Sequence, residues 1–141
     1  MNSRTGFCKV ILLITCGLFL VSCGMAMTKG QTWLDSKKGN PEINVTGTWM
    51  SPEWGTATFK QWGSAKLNQE NRNVEGVLGD YPVRGVVSGN TISLLMYSGQ
   101  KVDYSAELKA SDNNTLKGFY SKYAIVDEST SKRPMSLKRV P

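Results

Sequence analysis

The sequence predicts an all-β protein, a small up-and-down antiparallel β-barrel of about eight strands that follows a cleaved helical segment and a flexible tether. Two observations support this fold class. After residue 44, apolar and polar residues alternate with a period of two over short stretches, and turn-forming residues close these stretches. Residues 23–141 contain no long apolar pattern with the 3.6-residue period of a helix.

The first element is an apolar stretch over residues 10–21, preceded by the basic residues Arg4 and Lys9. A helix that crosses a bilayer needs about 20 apolar residues, so this stretch is too short to span one. A basic start and a short apolar core are typical of a secretory signal peptide. At its end, the five residues Leu20, Val21, Ser22, Cys23 and Gly24 resemble the lipobox of bacterial lipoproteins.

This resemblance implies that residues 1–22 are removed as a signal peptide and that Cys23 carries the lipid. The membrane is then a partner through the covalent lipid on Cys23, and the protein lies in the cell envelope. Gly24 rather than Asp after the cysteine resembles an outer-membrane address facing the periplasm, if the organism has two membranes. The alternative is an ordinary secretory signal with a chance cysteine.

Composition excludes several classes of chemistry. Cys8 and Cys16 lie in the removed segment and Cys23 is the lipid anchor, so the mature chain cannot form an internal disulfide. There is no histidine, which excludes Ser-His-Asp triads, Cys-His pairs and histidine zinc sites. We expect no metal and no cofactor. The net charge of +6 is spread along the chain without a dense basic face, and we expect no nucleic-acid partner.

The next element is a polar segment up to residue 44, rich in Gly, Lys, Thr, Ser and Asn. The domain organisation predicted from this is a signal peptide over 1–22, an acylated N-terminus and tether over 23–44, and a barrel domain over 45–141. Trp33 and Leu34 interrupt the polar composition. We expect them to dock on the barrel, and the alternative is that they dip toward lipid headgroups.

The strands of the barrel follow in sequence. The clearest covers 101–109, where Val102, Tyr104, Ala106 and Leu108 alternate with polar residues. Short turn-forming segments separate most strands and predict hairpins. A closed barrel would protect the edges of so many short strands. The predicted strands lie near 45–50, 56–61, 65–69, 74–78, 81–88, 91–97, 101–109, 115–123 and 133–139.

Both ends of the barrel domain resemble lipocalins and avidins, the calycin barrels. Gly47, Thr48 and Trp49 form the GxW motif of their first strand, and residues 135–139 resemble their last strand. The resemblance implies that Trp49 closes one end of the barrel and that Arg139 packs across it. Alternation agrees, because Gly47 and Trp49 share one face, as do Met135 and Arg139.

The interior is expected to be a filled core, and a ligand pocket is the alternative. The small residues Gly76, Gly85 and Ala106 could leave a cavity, and glycine inside a strand often marks a bend. Short strands, however, enclose little volume. The residues predicted to point inward are Trp49, Leu67, Val83, Val87, Ile92, Leu94, Met96, Val102, Tyr104, Leu108 and Leu137.

Two surfaces are candidates for binding. Trp54, Trp62 and Tyr104 are predicted at a barrel rim, where they either cap the core or stack on a ligand.

The second surface is an apolar patch on the outer wall, formed by Val86, Leu95 and Tyr97, and Phe119 is a possible further member. Such a patch usually marks a partner site. The alternative is that Trp33 and Leu34 cover it.

We therefore expect a non-enzymatic, membrane-anchored binding module that takes a small apolar or amphipathic ligand in the barrel. The first alternative is a protein-interaction module, an assembly partner or inhibitor of another envelope protein, that uses the outer apolar patch. The second is a carboxylate-based hydrolase, which needs two acids across one cleft. Asp127 with Glu128, and Glu70 with Glu75, do not specify such a pair, and no catalytic residue is predicted.

Overall fold

A computed structural model describes residues 29–64 and 69–141. Cys23, the predicted signal peptide and Leu67 lie outside these residues. The described residues form one short helix and eight antiparallel strands that close into a barrel, with each strand paired to the next. The predicted all-β barrel of about eight strands is therefore confirmed. Among the described residues, no helix is both long and apolar enough to cross a membrane.

The barrel closes where β8 pairs with β1, through Trp49 opposite Arg139 and Met50 opposite Lys138. Helix α1 covers residues 29–36 and precedes the barrel. The strands are β1 Gly47–Ser51, β2 Gly55–Ser64, β3 Gln69–Leu78, β4 Tyr81–Ser88, β5 Thr91–Ser98, β6 Lys101–Asp112, β7 Thr115–Lys122 and β8 Arg133–Arg139.

Strand β3 differs from the prediction of two strands at 65–69 and 74–78. It runs without a break from Gln69 to Leu78 and pairs with β2 and β4. The segment between the two predicted strands is instead part of β3, where Asn71 has a φ of 49°. Asparagine tolerates this left-handed conformation better than most residues, so the chain bends locally and the strand continues. Residues 65–68 lie outside the described part.

The barrel interior is packed with side chains. The buried residues of the core are 0–2% exposed, and they include Trp49, Val83, Val87, Ile92, Leu94, Met96, Leu108 and Leu137 as predicted. Tyr104 is half-buried and packs against this core from one end. The interior therefore corresponds to the expected filled core.

Val102 was predicted to point inward, and this is wrong. The pairing of β5 with β6 shifts between Met96, which lies opposite Tyr104, and Tyr97, which lies opposite Val102. The extra residue, Asp103, makes a β-bulge, and Val102 before the bulge therefore faces the opposite side of the sheet from Tyr104 after it. Val102 consequently packs in a second apolar cluster on the outer wall.

Gly76 and Gly85 do not leave space in the interior. A β-carbon at Gly76 would lie 1.9 Å from the carbonyl oxygen of Thr58, and one at Gly85 would lie 2.2 Å from that of Ser93. Neighbouring strands occupy the space that a side chain would need. These glycines therefore permit close approach of the backbones in a small, strongly curved wall.

Residues 29–41 differ from the predicted flexible tether, because they pack on the barrel. Trp33 is 8% exposed and Leu34 is 3% exposed, which confirms that this pair docks on the domain. The chain then crosses to the β4–β5 turn, where the amide of Glu42 donates to the carbonyl of Gly89. Burial of apolar surface explains why this segment is docked and not flexible, since docking removes two large side chains and the outer wall of β5 from contact with water.

Candidate functional site

The two ends of the barrel differ in their chemistry. We call one end the mouth: it carries the β1–β2, β3–β4 and β5–β6 turns and the β7–β8 loop over residues 123–132. We call the other end the base: it carries the start of β1 and the β4–β5 and β6–β7 turns.

The base is closed by Trp49 and Arg139, as predicted. The Arg139 guanidinium lies 4.2 Å from the centre of the Trp49 ring. It donates to the carbonyl oxygens of Asn44 at 2.7 Å and Thr46 at 2.8 Å. Gly47 has a φ of 131°, and a β-carbon there would lie 3.2 Å from an Arg139 nitrogen. The predicted packing of Gly47, Trp49 and Arg139 is confirmed, and its role is structural.

The mouth is capped by an aromatic cluster centred on Trp54 in the β1–β2 turn. The Trp54 ring makes edge-on contacts with Tyr81 at 5.7 Å, Tyr104 at 4.9 Å and Tyr120 at 5.1 Å between ring centres. Trp54 and these tyrosines are half-buried and pack on the core. Trp54 therefore caps the core, and its ring edge still lines the outside of the mouth.

A cavity of about 470 Å³ opens at the mouth, above the aromatic cluster. It has aromatic, cationic and hydroxyl groups in its wall. Within the described residues, neither Lys122 nor Arg133 forms an ion pair with a carboxylate. The indole N–H of Trp54 is buried and has no acceptor among the same residues. The cavity is lined by Glu53, Trp54, Tyr104, Tyr120, Lys122, Ser131 and Arg133.

Two lysines at the mouth lie over tyrosine rings. The Lys122 ammonium is 5.7 Å from the Tyr104 ring centre and 4.8 Å from that of Tyr123, and the Lys101 ammonium is 4.7 Å from Tyr123. Hydrogen bonding to Tyr123, with the nearby Tyr104, raises the pKa of Lys122 above its ordinary value. Lys122 therefore stays charged at neutral pH and is exposed to solvent.

Tyr123 is held in an unusual conformation beside these lysines. Its φ is 57°, and its side chain remains exposed, at 63%. The Tyr123 amide donates to the carbonyl of Asp103 at 2.8 Å, which fixes the backbone there. A left-handed conformation is costly for a residue with a large side chain. The fold therefore presents this ring to solvent at an energetic cost.

Trp62 does not belong to the mouth, and its predicted place beside Trp54 at a rim is wrong. Strand β2 is continuous over ten residues, so its two ends lie on opposite ends of the barrel. The seven residue steps of extended strand from Gly55 to Trp62 cover about 23 Å. Trp62 is 39% exposed on the outer wall near the base, beside a cavity that Leu34 and Arg72 also line.

The outer apolar patch of Val86, Leu95 and Tyr97 is not exposed as predicted. Leu95 is fully buried under Trp33 and Leu34, and Val86 and Tyr97 pack against the same cluster. The alternative that the segment around Trp33 covers this patch is confirmed. Phe119 lies elsewhere on the outer wall and is 51% exposed.

A polar contact, which we call the latch, holds α1 against the β7–β8 loop. Asp127 accepts a hydrogen bond from the Trp33 indole at 2.6 Å and one from the Lys37 ammonium at 2.8 Å, and Lys37 also reaches Glu107 at 2.7 Å. Burial by itself would raise the pKa of Asp127, but the hydrogen bonds from Lys37 and Trp33 outweigh it and lower that pKa.

Sequence reasoning considered Asp127 only with Glu128, as a possible pair of catalytic acids, and so missed the latch. The apolar pair Ile125 and Val126 directly before Asp127 was the available signal, and both residues are buried against Leu95.

A second cavity, of about 810 Å³, lies on the outer wall, is distinct from the mouth cavity and extends to the β5–β6 turn. Its floor is formed by the outer side of β2, β3 and β4. Val77, Pro82 and Tyr97 supply apolar surface, and Lys60, Glu75 and Arg84 supply charge. Of the predicted patch, Tyr97 lines this cavity, and Val86 lines the cavity beside Trp62.

Trp54 and Tyr104 are thus the two predicted rim residues that the structure brings together. The mouth residues Tyr120, Lys122, Ser131 and Arg133 were not predicted. Lys122 is the last residue of β7 and Tyr123 follows it, and this lysine next to a tyrosine at a strand end was the available signal. Comparison of the chain with protein-family models, with curated proteins and with solved structures found no match.

Proposed function

We propose that the protein is a lipid-anchored, non-enzymatic binding module of the cell envelope, and that its ligand binds at the mouth. One observation carries the choice of site. The interior is filled by side chains that are 0–2% exposed, whereas the mouth has an open cavity of about 470 Å³. This proposal moves the ligand from inside the barrel, where the sequence placed it, to the barrel end.

The composition of the mouth favours an amphipathic ligand with an anionic group. Tyr104 and Tyr120 offer aromatic surface to its apolar or ring portion. Lys122 and Arg133 offer cations that no described carboxylate neutralises. Satisfying the buried indole N–H of Trp54 would add further stabilisation, because an unpaired buried donor costs about 1–3 kcal/mol.

The two alternative functions have less support. An interaction module was expected to use the Leu95 patch, which α1 covers. A carboxylate-based hydrolase needs two acids in one cleft, and Glu53 is the one acidic residue among those lining the mouth cavity.

The anchor is tested by replacing Cys23 with Ala in the native host. We expect loss of labelling by radioactive fatty acid and loss of the protein from the detergent phase, because the sulfur that accepts lipid is absent. Ser22 and Gly24 remain, and a Cys8→Ala variant serves as the matched control that keeps labelling. Labelling that persists in Cys23→Ala would refute the anchor.

The mouth is tested by native mass spectrometry of protein purified from its own host. We expect a copurified small molecule that is lost in Lys122→Ala and retained in Lys109→Ala, an exposed lysine at the base. Circular dichroism of both variants checks that the barrel is folded. Absence of a bound mass, or equal retention in both variants, would count against a ligand site at the mouth.

A further inference from the structure

We infer that the mouth faces the membrane that holds the lipid on Cys23, and that the basic side of the mouth binds headgroups of anionic phospholipids in that membrane. This inference rests on the anchor and the site proposed above, and it names the ligand class of that site.

The direction of α1 places its described N-terminal end, Lys29, at the mouth. A β-carbon at Gly30 would lie 2.9 Å from Leu95 Cδ1 and 3.7 Å from Val102 Cγ2, so the first turn of α1 lies on the start of β6. Seven residues later, Lys37 reaches Glu107 in the middle of β6. The chain then meets Gly89 at the base. The helix therefore runs from mouth to base, with Lys29, the first described residue, at the mouth.

The chain between anchor and barrel is short. Cys23 and Lys29 are six residues apart, and six residues of fully extended chain span at most about 20 Å. If Cys23 is held in the bilayer surface, the start of α1 stays within this distance of the headgroups for as long as the helix remains docked. Docking of α1 therefore limits which end of the barrel lies near the membrane.

Several basic residues lie together on one side of the mouth. This basic side consists of Lys101 in β6, Lys122 in β7, Lys132 in the β7–β8 loop and Arg133 in β8, and α1 lies beside it. Of the acidic residues at this end, Glu53 and Asp80 lie in the β1–β2 and β3–β4 turns, Asp103 is 3.8 Å from Lys101, and Asp127 and Glu128 of the β7–β8 loop pair with Lys37 and Lys29. Lys122 and Arg133 have no ion-pair partner among the described residues. Anionic headgroups attract such basic residues by about 1 kcal/mol for each Lys or Arg near the surface.

Exposed aromatic rings on the same side suit the membrane interface. Tyr123 is 63% exposed between the ammonium groups of Lys101 and Lys122. Tyrosine is favoured at membrane interfaces, because its ring tolerates an apolar surrounding while its hydroxyl remains hydrated. An exposed tyrosine with two cations therefore matches a phospholipid headgroup. The phosphate of the lipid would lie at the ammonium groups, and the glycerol region of the lipid would lie at the tyrosine ring.

The orientation is tested on lipidated protein reconstituted in vesicles of phosphatidylethanolamine with phosphatidylglycerol. A single reporter cysteine carries a fluorophore either at Ser131 in the mouth or at Asn113 in the β6–β7 turn of the base, as Ser131→Cys or Asn113→Cys. We expect a quencher attached to lipid headgroups to lower the fluorescence of the mouth reporter and to leave the fluorescence of the base reporter unchanged. Equal quenching, or stronger quenching at the base, would overturn the orientation.

The lipid preference is tested without the anchor, on the mature chain 23–141 with Cys23→Ser. We expect this chain to bind vesicles that contain phosphatidylglycerol more tightly than vesicles of phosphatidylethanolamine alone. Removing the charge with Lys122→Gln should weaken binding to the anionic vesicles by about fivefold, the equivalent of about 1 kcal/mol. Lys109→Gln, the matched change at the base, should leave binding unchanged.

These two experiments separate the possible failures. If Cys23 carries no lipid, the anchor fails, while the vesicle measurement on the unanchored chain still tests the headgroup site. If the unanchored chain shows no preference for anionic vesicles, or if Lys109→Gln weakens binding as much as Lys122→Gln, the headgroup site is refuted. A soluble ligand retained at the mouth in native mass spectrometry would then leave the proposed binding function standing.

Discussion

At the residue scale, Arg139 makes two kinds of contact that together close the base. Its guanidinium lies over the Trp49 ring and also donates to the carbonyl oxygens of Asn44, Thr46 and Asn113. These carbonyls belong to the chain entering β1 and to the β6–β7 turn. One side chain therefore ties both ends of the barrel sequence to the turn between them.

We predict that Arg139→Ala lowers the free energy of unfolding by about 2 kcal/mol, from the lost cation–π contact and the charge-assisted hydrogen bonds. Urea unfolding followed by circular dichroism measures this change. The matched control is Lys138→Ala, whose side chain is exposed on the outer wall and should cost less than about 0.5 kcal/mol. Similar losses in both variants would show that Arg139 does not hold the base.

Arg139 also shows which parts of the two barrel ends could be predicted from the sequence. The resemblance of the first and last strands to known barrels implied that Arg139 packs across Trp49, and the alternation of β1 and β8 agreed with it, because strand parity fixes which side chains share a face. At the mouth, parity placed Tyr104 correctly but could not show that Trp54 reaches it. Trp54 lies in a turn, and turn side chains have no regular direction that a periodic pattern reveals.

At the scale of elements, α1 and the β7–β8 loop stabilise each other on the outer wall. Neither has a core of its own, and both bury apolar residues against Leu95. The loop provides partners for two buried serines of the wall, since Ser105 donates to the carbonyl of Ala124 and Ser121 donates to Ser129. The two elements therefore form one covering layer that the latch joins.

We predict that the contribution of Asp127 to stability is lost in acid. The pKa of Asp127 is lowered in the folded protein, so its stabilising effect is complete above the unfolded pKa and disappears as the pH falls through the folded pKa. Asp127→Asn should therefore lower the thermal midpoint near neutral pH, and this difference should begin to shrink as the pH falls to about 4 and vanish below the folded pKa. The cost is below about 1 kcal/mol, because the carboxylate is nearly half exposed.

Glu128→Gln is the matched control for the latch. Glu128 pairs with Lys29, and both side chains are more than half exposed, so this ion pair should contribute almost nothing. A pH dependence of equal size in the two variants would show that the effect reflects general surface charge rather than the latch.

The sequence could not reveal this layer as a unit. Residues 29–36 have too few turns for a helical period to stand out against a polar background, and short helices depend on tertiary contacts rather than propensity. The outward apolar residues of β4 and β5 were visible as breaks in alternation, but parity cannot tell a partner site from a surface covered by the same chain.

At the scale of the whole molecule, the barrel has a core separate from the layer that covers it. Among the described residues, the sixteen buried residues of the interior and the five buried residues that α1, the β7–β8 loop and Leu95 contribute to the outer layer form two clusters, divided by the wall of the barrel. Closure of the sheet satisfies the backbone of all eight strands without help from α1.

We therefore predict that α1 can be released while the barrel stays folded. The double variant Trp33→Ser, Leu34→Ser should speed amide hydrogen exchange in residues 29–36 and increase binding of a hydrophobic dye at the uncovered Leu95. The barrel strands should keep their protection. The control Gln31→Ser, Asp35→Ser removes an exposed pair on the same helix and should change neither measurement. Loss of protection throughout β4, β5 and β6 would show that the barrel requires α1.

The strand order and barrel closure followed from short turns and edge protection, and the structure confirmed them. The division of the chain near residue 44 was less successful, since docked structure begins by residue 29. A polar composition lowers the chance of a separate core, but it does not prevent one apolar pair from anchoring a short segment to an existing wall.

The course of α1 along the wall also governs how the molecule would respond to force. A pull applied on the N-terminal side of α1 meets the helix at the mouth and peels it toward the base, so the contacts break one after another and not all at once. Residues 29–40, once peeled, would lengthen the connection by up to about 40 Å while β1 remained paired. The docked residues 29–40 would thus act as a reserve of chain length that is released when force is applied.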